Sequence, residues 1–144
     1  MRKINKQAGF TLIELIMVIV ILGVLSAFAL PRFADLGGDA RAASLNGAGG
    51  SMKAASNIAH AAQLAGGIAV GGSVTLEGTV ITMANGYPTD AGIMLAAQIS
   101  APDYTVTGDT VTIPGASDDT SCSVVYTEAT STVPASVAIT DSSC

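Results

Sequence analysis

The stretch KQAGFTLIELIMVIVILGVLSAFALP, residues 6–31, holds one carboxylate, Glu14, at the head of an otherwise apolar run. Residues 15–30 carry no charge and are mostly large and apolar, a membrane-scale segment. Arg2, Lys3 and Lys6 precede it. A basic start ahead of an apolar run orients the N-terminus toward the cytoplasm, so the chain beyond the run is exported. Three readings compete. Ala27-Phe28-Ala29 has the small-x-small pattern of an ordinary signal-peptide site, which would release a soluble chain beginning at Leu30. The segment also suits a permanent anchor, or one cut ahead of its apolar part.

Glu14 weighs against the first reading, because a carboxylate hinders insertion and serves nothing in a discarded peptide. Insertion scales give about 2.5–3.5 kcal/mol for an Asp at a helix centre and less toward the ends. A cation at the same depth would offset that cost. A cut between Gly9 and Phe10 creates one, an α-amino group about one helical turn before Glu14.

The run GFTLIELIMVIVILGVLSAFALP closely resembles the N-terminus of type IV pilins. The resemblance implies that residues 1–9 are a leader removed by a prepilin peptidase between Gly9 and Phe10, and that Phe10 is then N-methylated. It also implies that Glu14 pairs with the N-terminal amine of a neighbouring subunit in a filament. Residues 10–31 would form the apolar, membrane-spanning and filament-core half of a helix. Residues 32–144 would form a globular head that includes the amphipathic half. In that family the helix unwinds within the filament between positions matching Gly23 and Pro31. Pro31 lacks an amide hydrogen, which predicts a kink or a local opening, and Gly23 lowers helix propensity.

The helix is expected from Phe10 to about Ala65, about 80 Å long if unbroken. Beyond the apolar run, Phe33, Leu36, Ala40, Ala43, Met52, Ala55, Ala59 and Ala62 recur at three- and four-residue steps, a stripe suited to packing on a sheet. After residues 65–67 the pattern turns to alternation. SVTLEGTVITM and YTVTGDTVTI read as hairpins about Glu77-Gly78 and Gly108-Asp109. TDAGIMLAAQIS opens with cap-type residues and reads as a short helix. CSVVYTEA and ASVAIT supply two further strands. The expected class is α+β, a long N-terminal helix packed on an antiparallel sheet, the type IV pilin fold.

Within the head, NGYPTDAGI and the CSVVYTEA…C ending look like pilins of the mannose-sensitive haemagglutinin (MSHA) type. Cys122 and Cys144 match the cysteines bounding that type's C-terminal region. Export into an oxidising compartment independently predicts that these two cysteines form one disulfide. A loop of that size contributes about 3 kcal/mol in the chain-entropy model.

The net charge is −5, and residues 54–144 contain no Lys or Arg. An all-acidic head repels phosphate, which argues against its binding nucleic acid or an anionic membrane. Enzymatic chemistry finds little footing. His60, the only histidine, sits on an Ala-rich helix and reads as a packing or surface residue. No G-x-S-x-G elbow surrounds a serine, and GGIAVGG lacks the Lys-Ser/Thr of a phosphate loop, reading instead as a flexible loop. Asp118, Asp119 and Asp141 match no calcium-loop spacing and read as a solvated acidic surface. TEATSTVPAS has the Ser/Thr/Pro bias of O-glycosylated segments.

The expected function is therefore structural: a type IV pilus subunit that polymerises with copies of itself. By the same resemblance it depends on an assembly ATPase acting through an inner-membrane platform, and it leaves the inner membrane for a surface filament whose receptor is unknown. No cofactor is expected. The alternatives are a type II secretion pseudopilin or minor pilin and, in another class, a secreted binding module beginning at Leu30.

Overall fold

A computed structural model describes residues 9–116, 120–142 and 144, and for Ala34 and Asp35 the backbone alone. The expected acidic-surface residues Asp118 and Asp119 lie outside the described residues, as do the basic residues Arg2, Lys3 and Lys6. Contacts divide the chain into two units, Met1–Gly37 and Gly38–Cys144. One helix, α1 (Leu12–Ala65), contributes to both.

The second unit adds β1 (Val74–Leu76), β2 (Thr79–Ile81), β3 (Met83–Ala84), β4 (Tyr87–Pro88), α2 (Asp90–Ala96), β5 (Thr105–Thr107), β6 (Thr110–Thr112), β7 (Ser123–Thr127) and β8 (Ser136–Thr140). All strand pairs are antiparallel: β1 with β2, β3 with β4, and a four-stranded sheet in the order β5-β6-β7-β8. The class is α+β, as expected. Both expected hairpins form about their expected turns, and β7 and β8 pair inside the cysteine-bounded segment. A third hairpin, β3–β4, adds to them. Its turn is Asn85-Gly86, with φ of 49° and 89°, and Asn-Gly is the strongest two-residue hairpin signal a sequence carries.

Period-two alternation gives the four-stranded sheet two unlike faces. Val106, Val111, Val124 and Ile139 stand in register on one, with Tyr126 opposite Val137. Thr105, Thr112, Ser123 and Thr140 share a row on the other. The apolar face meets α1. Leu45, Ala48, Met52 and Ala55 join Val111, Val124 and Tyr126 in one cluster, with Ile93 and Met94 of α2. Ala59, Val74, Ile81 and Met83 form a second. Each fully buried large side chain contributes about 1.5–3 kcal/mol. The expected stripe holds for Met52, Ala55 and Ala59 and fails upstream, where Phe33, Leu36, Ala40 and Ala43 are exposed. Alanine spacing marks the phase of a helix poorly, because alanine suits any face. Leu45 opens the buried face instead.

Gly49 shows what fixes that packing. A Cβ there would lie 2.5 Å from Ile139 Cδ1 and 2.7 Å from its Cγ1, so the helix reaches the sheet only without a side chain. At Gly50 a Cβ would meet nothing within 4 Å. Arg41 Nε donates to Cys144 O at 2.6 Å and Asn46 Nδ2 to Asp141 Oδ2 at 2.8 Å, tying the C-terminal segment to α1. Cys122 and Cys144 are joined as expected, and Cys122 is fully buried within the core.

Polar contacts hold the smaller elements. Gly92 N–H donates to the Oγ1 of Thr89, the N-cap of α2, and the amide of Asp90 donates to Glu128 Oε1 at 2.6 Å. Gly92 also packs its α-carbon against Thr82 O, where a Cβ would clash. The buried Tyr126 hydroxyl donates to Pro88 O at 2.8 Å, and burial pushes its ionisation above the ordinary range, which keeps it a donor. Gln63, also buried, donates to Ala69 O at 2.9 Å, and Gly72 N–H bonds Ala69 O at 2.8 Å, so the GGIAVGG loop is held by specific bonds.

Replacing Gly49 by Val is expected to destabilise the full chain in detergent by about 1–3 kcal/mol through overpacking. Gly50→Ala should stabilise it by up to about 1 kcal/mol through helix propensity, both read by thermal melts. A second expectation concerns Asp90, whose carboxyl is held above its ordinary pKa by burial, then by the charges of Glu128 and Asp109. A carboxyl raised in the folded state costs nothing below its unfolded pKa, and the cost grows as pH rises through the folded value. Asp90→Asn should therefore raise the melting temperature at pH 7, with the gain vanishing as the pH falls below the ordinary aspartate range.

Candidate functional site

The candidate site is the start of α1 and the apolar stretch behind it. Gly9 and Phe10 precede the helix, and Phe10 is 94% exposed. The helix begins at Leu12 because Thr11 caps it. Glu14 Oε2 accepts from the Thr11 amide at 2.8 Å and from Thr11 Oγ1 at 2.7 Å, while Thr11 Oγ1 accepts from the Glu14 amide at 3.3 Å. This reciprocal arrangement is a capping box, and T-L-I-E carries its Thr-x-x-Glu signature. Charge alone singles out Glu14 in the sequence, and the signature adds Thr11 to the site. The capping box leaves Gly9 and Phe10 outside the helix.

Both donors to Glu14 are neutral. They hold the carboxylate by hydrogen bonds, and among the described residues no cation pairs with it. The other polar side chain between residues 12 and 30, Ser26, donates to Leu22 O at 2.7 Å, so it too finds its partner within the helix. Every large apolar side chain from Leu12 to Leu25, and Phe28 and Leu30 beyond, is exposed in the single chain. Among the described residues this is the one helix long and apolar enough to cross a membrane, and none of its most apolar window is buried. A helix satisfies its own backbone, which leaves lipid or other helices as suitable surroundings for such a surface.

The helix continues through Pro31 without a break. Of the kink or local opening expected there, the single chain shows no opening. Proline removes one amide hydrogen, and a loss of one bond is tolerated where the turns on either side keep theirs. A Cβ at Gly23 would meet nothing within 4 Å, so no close approach within the chain calls for glycine there.

In the second unit, His60 stacks on Tyr87 with centroids 4.3 Å apart and rings 2° from parallel, and its Nδ1 lies 2.6 Å from Gly86 O. That carbonyl only accepts, so Nδ1 carries the proton. The ring packs and tethers the β3–β4 turn. Among the described residues no three His, Cys, Asp or Glu side chains gather as metal ligands.

Residues 4–30 match the family described as the prokaryotic N-terminal methylation motif. The type IV narrow pilus major component PilA5 of Thermus thermophilus is 46% identical over 54 residues, 38% of this chain and 47% of that protein. The type II secretion system core protein G of Vibrio cholerae is 53% identical over 32 residues, 22% of each chain. The type IV major alpha-pilin of Moraxella bovis is 61% identical over 31 residues, 22% of this chain and 20% of that one. The chain thus matches about half the length of the first of these relatives and about a fifth of the other two. No solved structure matches it. The N-terminal segment is therefore similar to the prokaryotic N-terminal methylation motif and to the corresponding segments of a type IV pilus major component, a type IV major alpha-pilin and a type II secretion system core protein.

Proposed function

We infer that this chain is the structural subunit of a type IV pilus, and a major subunit of the MSHA type. The observation that carries the reading is Glu14, a carboxylate at the head of an exposed apolar half-helix, whose donors among the described residues are both neutral. A discarded signal peptide has no use for it. In a polymer, a cut between Gly9 and Phe10 supplies each neighbour with an α-amino group, methylated on Phe10, that lies at the depth of Glu14. The carboxylate then exchanges neutral donors for a cation. Apolar half-helices exchange lipid for one another, Gly23 and Pro31 lend the bundle its give, and the heads form the outer wall.

Leaving the bilayer needs work from outside, which an assembly ATPase and an inner-membrane platform supply. A prepilin peptidase removes residues 1–9 beforehand. The MSHA assignment rests on NGYPTDAGI and on the bridge between Cys122 and Cys144. A pseudopilin role is the second reading, favoured by the likeness to a type II secretion core protein. Copy number in sheared surface filaments separates the two, being high for a major pilin.

Mass spectrometry of the mature protein should find a methylated N-terminus at Phe10. A start at Leu30 or at Met1 would overturn the reading. Glu14→Ala should leave the membrane pool of subunit at its usual level and lower sheared filaments at least tenfold, and normal piliation would contradict the pairing.

A further inference from the structure

Charges in the unit Gly38–Cys144 are sorted, with two basic residues, Arg41 and Lys53, against nine acidic ones. Arg41 is half-buried and engaged with Cys144 O. Lys53 is exposed, and among the described residues it has no hydrogen-bond or ion-pair partner. Asn46, Lys53 and His60 recur every seven residues and so share one stripe of α1. Asn46 reaches Asp141 beyond β8, and His60 reaches Gly86 in the β3–β4 turn, which fixes the flank on which Lys53 stands.

The other flank holds a cleft. Ser51 and Ile58, about 140–160° around the helix from Lys53, line it with Leu76, Glu77 and Leu95, enclosing about 520 Å³. Ile58 and Leu95 are 58% and 55% exposed, so its walls present apolar surface to water. Glu77 is the one ionisable group lining it, and its carboxylate meets no cation, only a 3.4 Å contact from Gln98 Nε2. Glu77 also occupies a left-handed turn position, φ 48°, that Gly, Asn or Asp would fill with less conformational cost. The side chain, not the turn, accounts for a glutamate there.

We propose that the partner of this cleft is a second copy of the chain, whose Lys53 enters it and pairs with Glu77. The lysine stem lies along Ile58, Leu76 and Leu95 while its ammonium reaches the carboxylate, the usual division of labour in a lysine side chain. Gly50 and Asn57 flank Lys53 on α1 and let the two surfaces approach. Cleft and cation stand on opposite flanks at the same level of α1, so the contact joins unlike patches and leaves one of each free on every pair. Such a heterologous contact propagates instead of stopping at a dimer. It also gives heads that otherwise repel one another a place of attraction. The proposal rests on the polymer reading above and adds the head contact that reading lacks.

Full-length chains carrying both Lys53→Cys and Glu77→Cys, expressed in piliated cells and treated with a bis-maleimide long enough to replace the two lost side chains, should give a ladder of covalent multimers in sheared filaments. Either substitution alone should give none. Lys53→Glu and Glu77→Lys should each lower sheared filaments at least tenfold with an unchanged membrane pool, and the two together should restore them to within about twofold of wild type. Normal filament yield from both single charge reversals, or the lack of a ladder in intact filaments, would overturn the contact while leaving the polymer reading in place. A wild-type chain that yields no filament in the same preparation would overturn the polymer reading, and the contact with it.

Discussion

A single helix that buries one face between Leu45 and Gln63 and buries nothing between Leu12 and Leu30 is the constraint on which everything else in this chain depends. Its second half needs the sheet, because Leu45, Met52 and Ala59 would otherwise face water. Its first half finds no apolar partner among the described residues. One element therefore carries two demands for burial, and only one of them is met by folding. The other has to be met by lipid or by further copies.

The two halves meet those demands by different means. In the head, close approach is set by what is missing, since Gly49 leaves room for Ile139 and Gly92 leaves room for the Thr82 carbonyl. Fixed polar contacts then hold the smaller elements: Glu128 at the start of α2, Tyr126 on Pro88, His60 on the β3–β4 turn and Gln63 on the loop after α1. In the apolar stretch, Ser26 turns back on Leu22 and Glu14 on Thr11. Among the described residues no cation meets the charge on Glu14, which makes that residue the natural point of dependence on another molecule.

Charge distribution extends the same logic to the head. With Arg41 engaged and residues 54–144 free of cations, identical heads repel unless Lys53 finds an acid on a neighbour. The cleft beside Glu77 combines that acid with uncovered apolar surface. Polymerisation through the apolar helices alone would leave both unsatisfied.

Much is legible in the residues. Composition and hydropathy mark the apolar stretch, the misplaced carboxylate points to its use, and alternation about Glu77-Gly78 and Gly108-Asp109 places two hairpins, because these signals are local and read one element at a time. Asn85-Gly86 and the Thr11–Glu14 capping box are equally local signals, though hydropathy and charge do not draw the eye to them. Other features have no local trace. Which face of an Ala- and Gly-rich helix turns inward depends on the sheet it meets, so the stripe through Phe33 and Ala43 fails while Leu45 takes its place. The sequence by itself determined that one stretch must leave water and that one anion stands at its edge. Only the tertiary structure decided that Gly49 packs where Gly50 does not, that His60 is a tether, and that Lys53 and Glu77 stand on opposite flanks, because these depend on contacts between segments far apart in the chain.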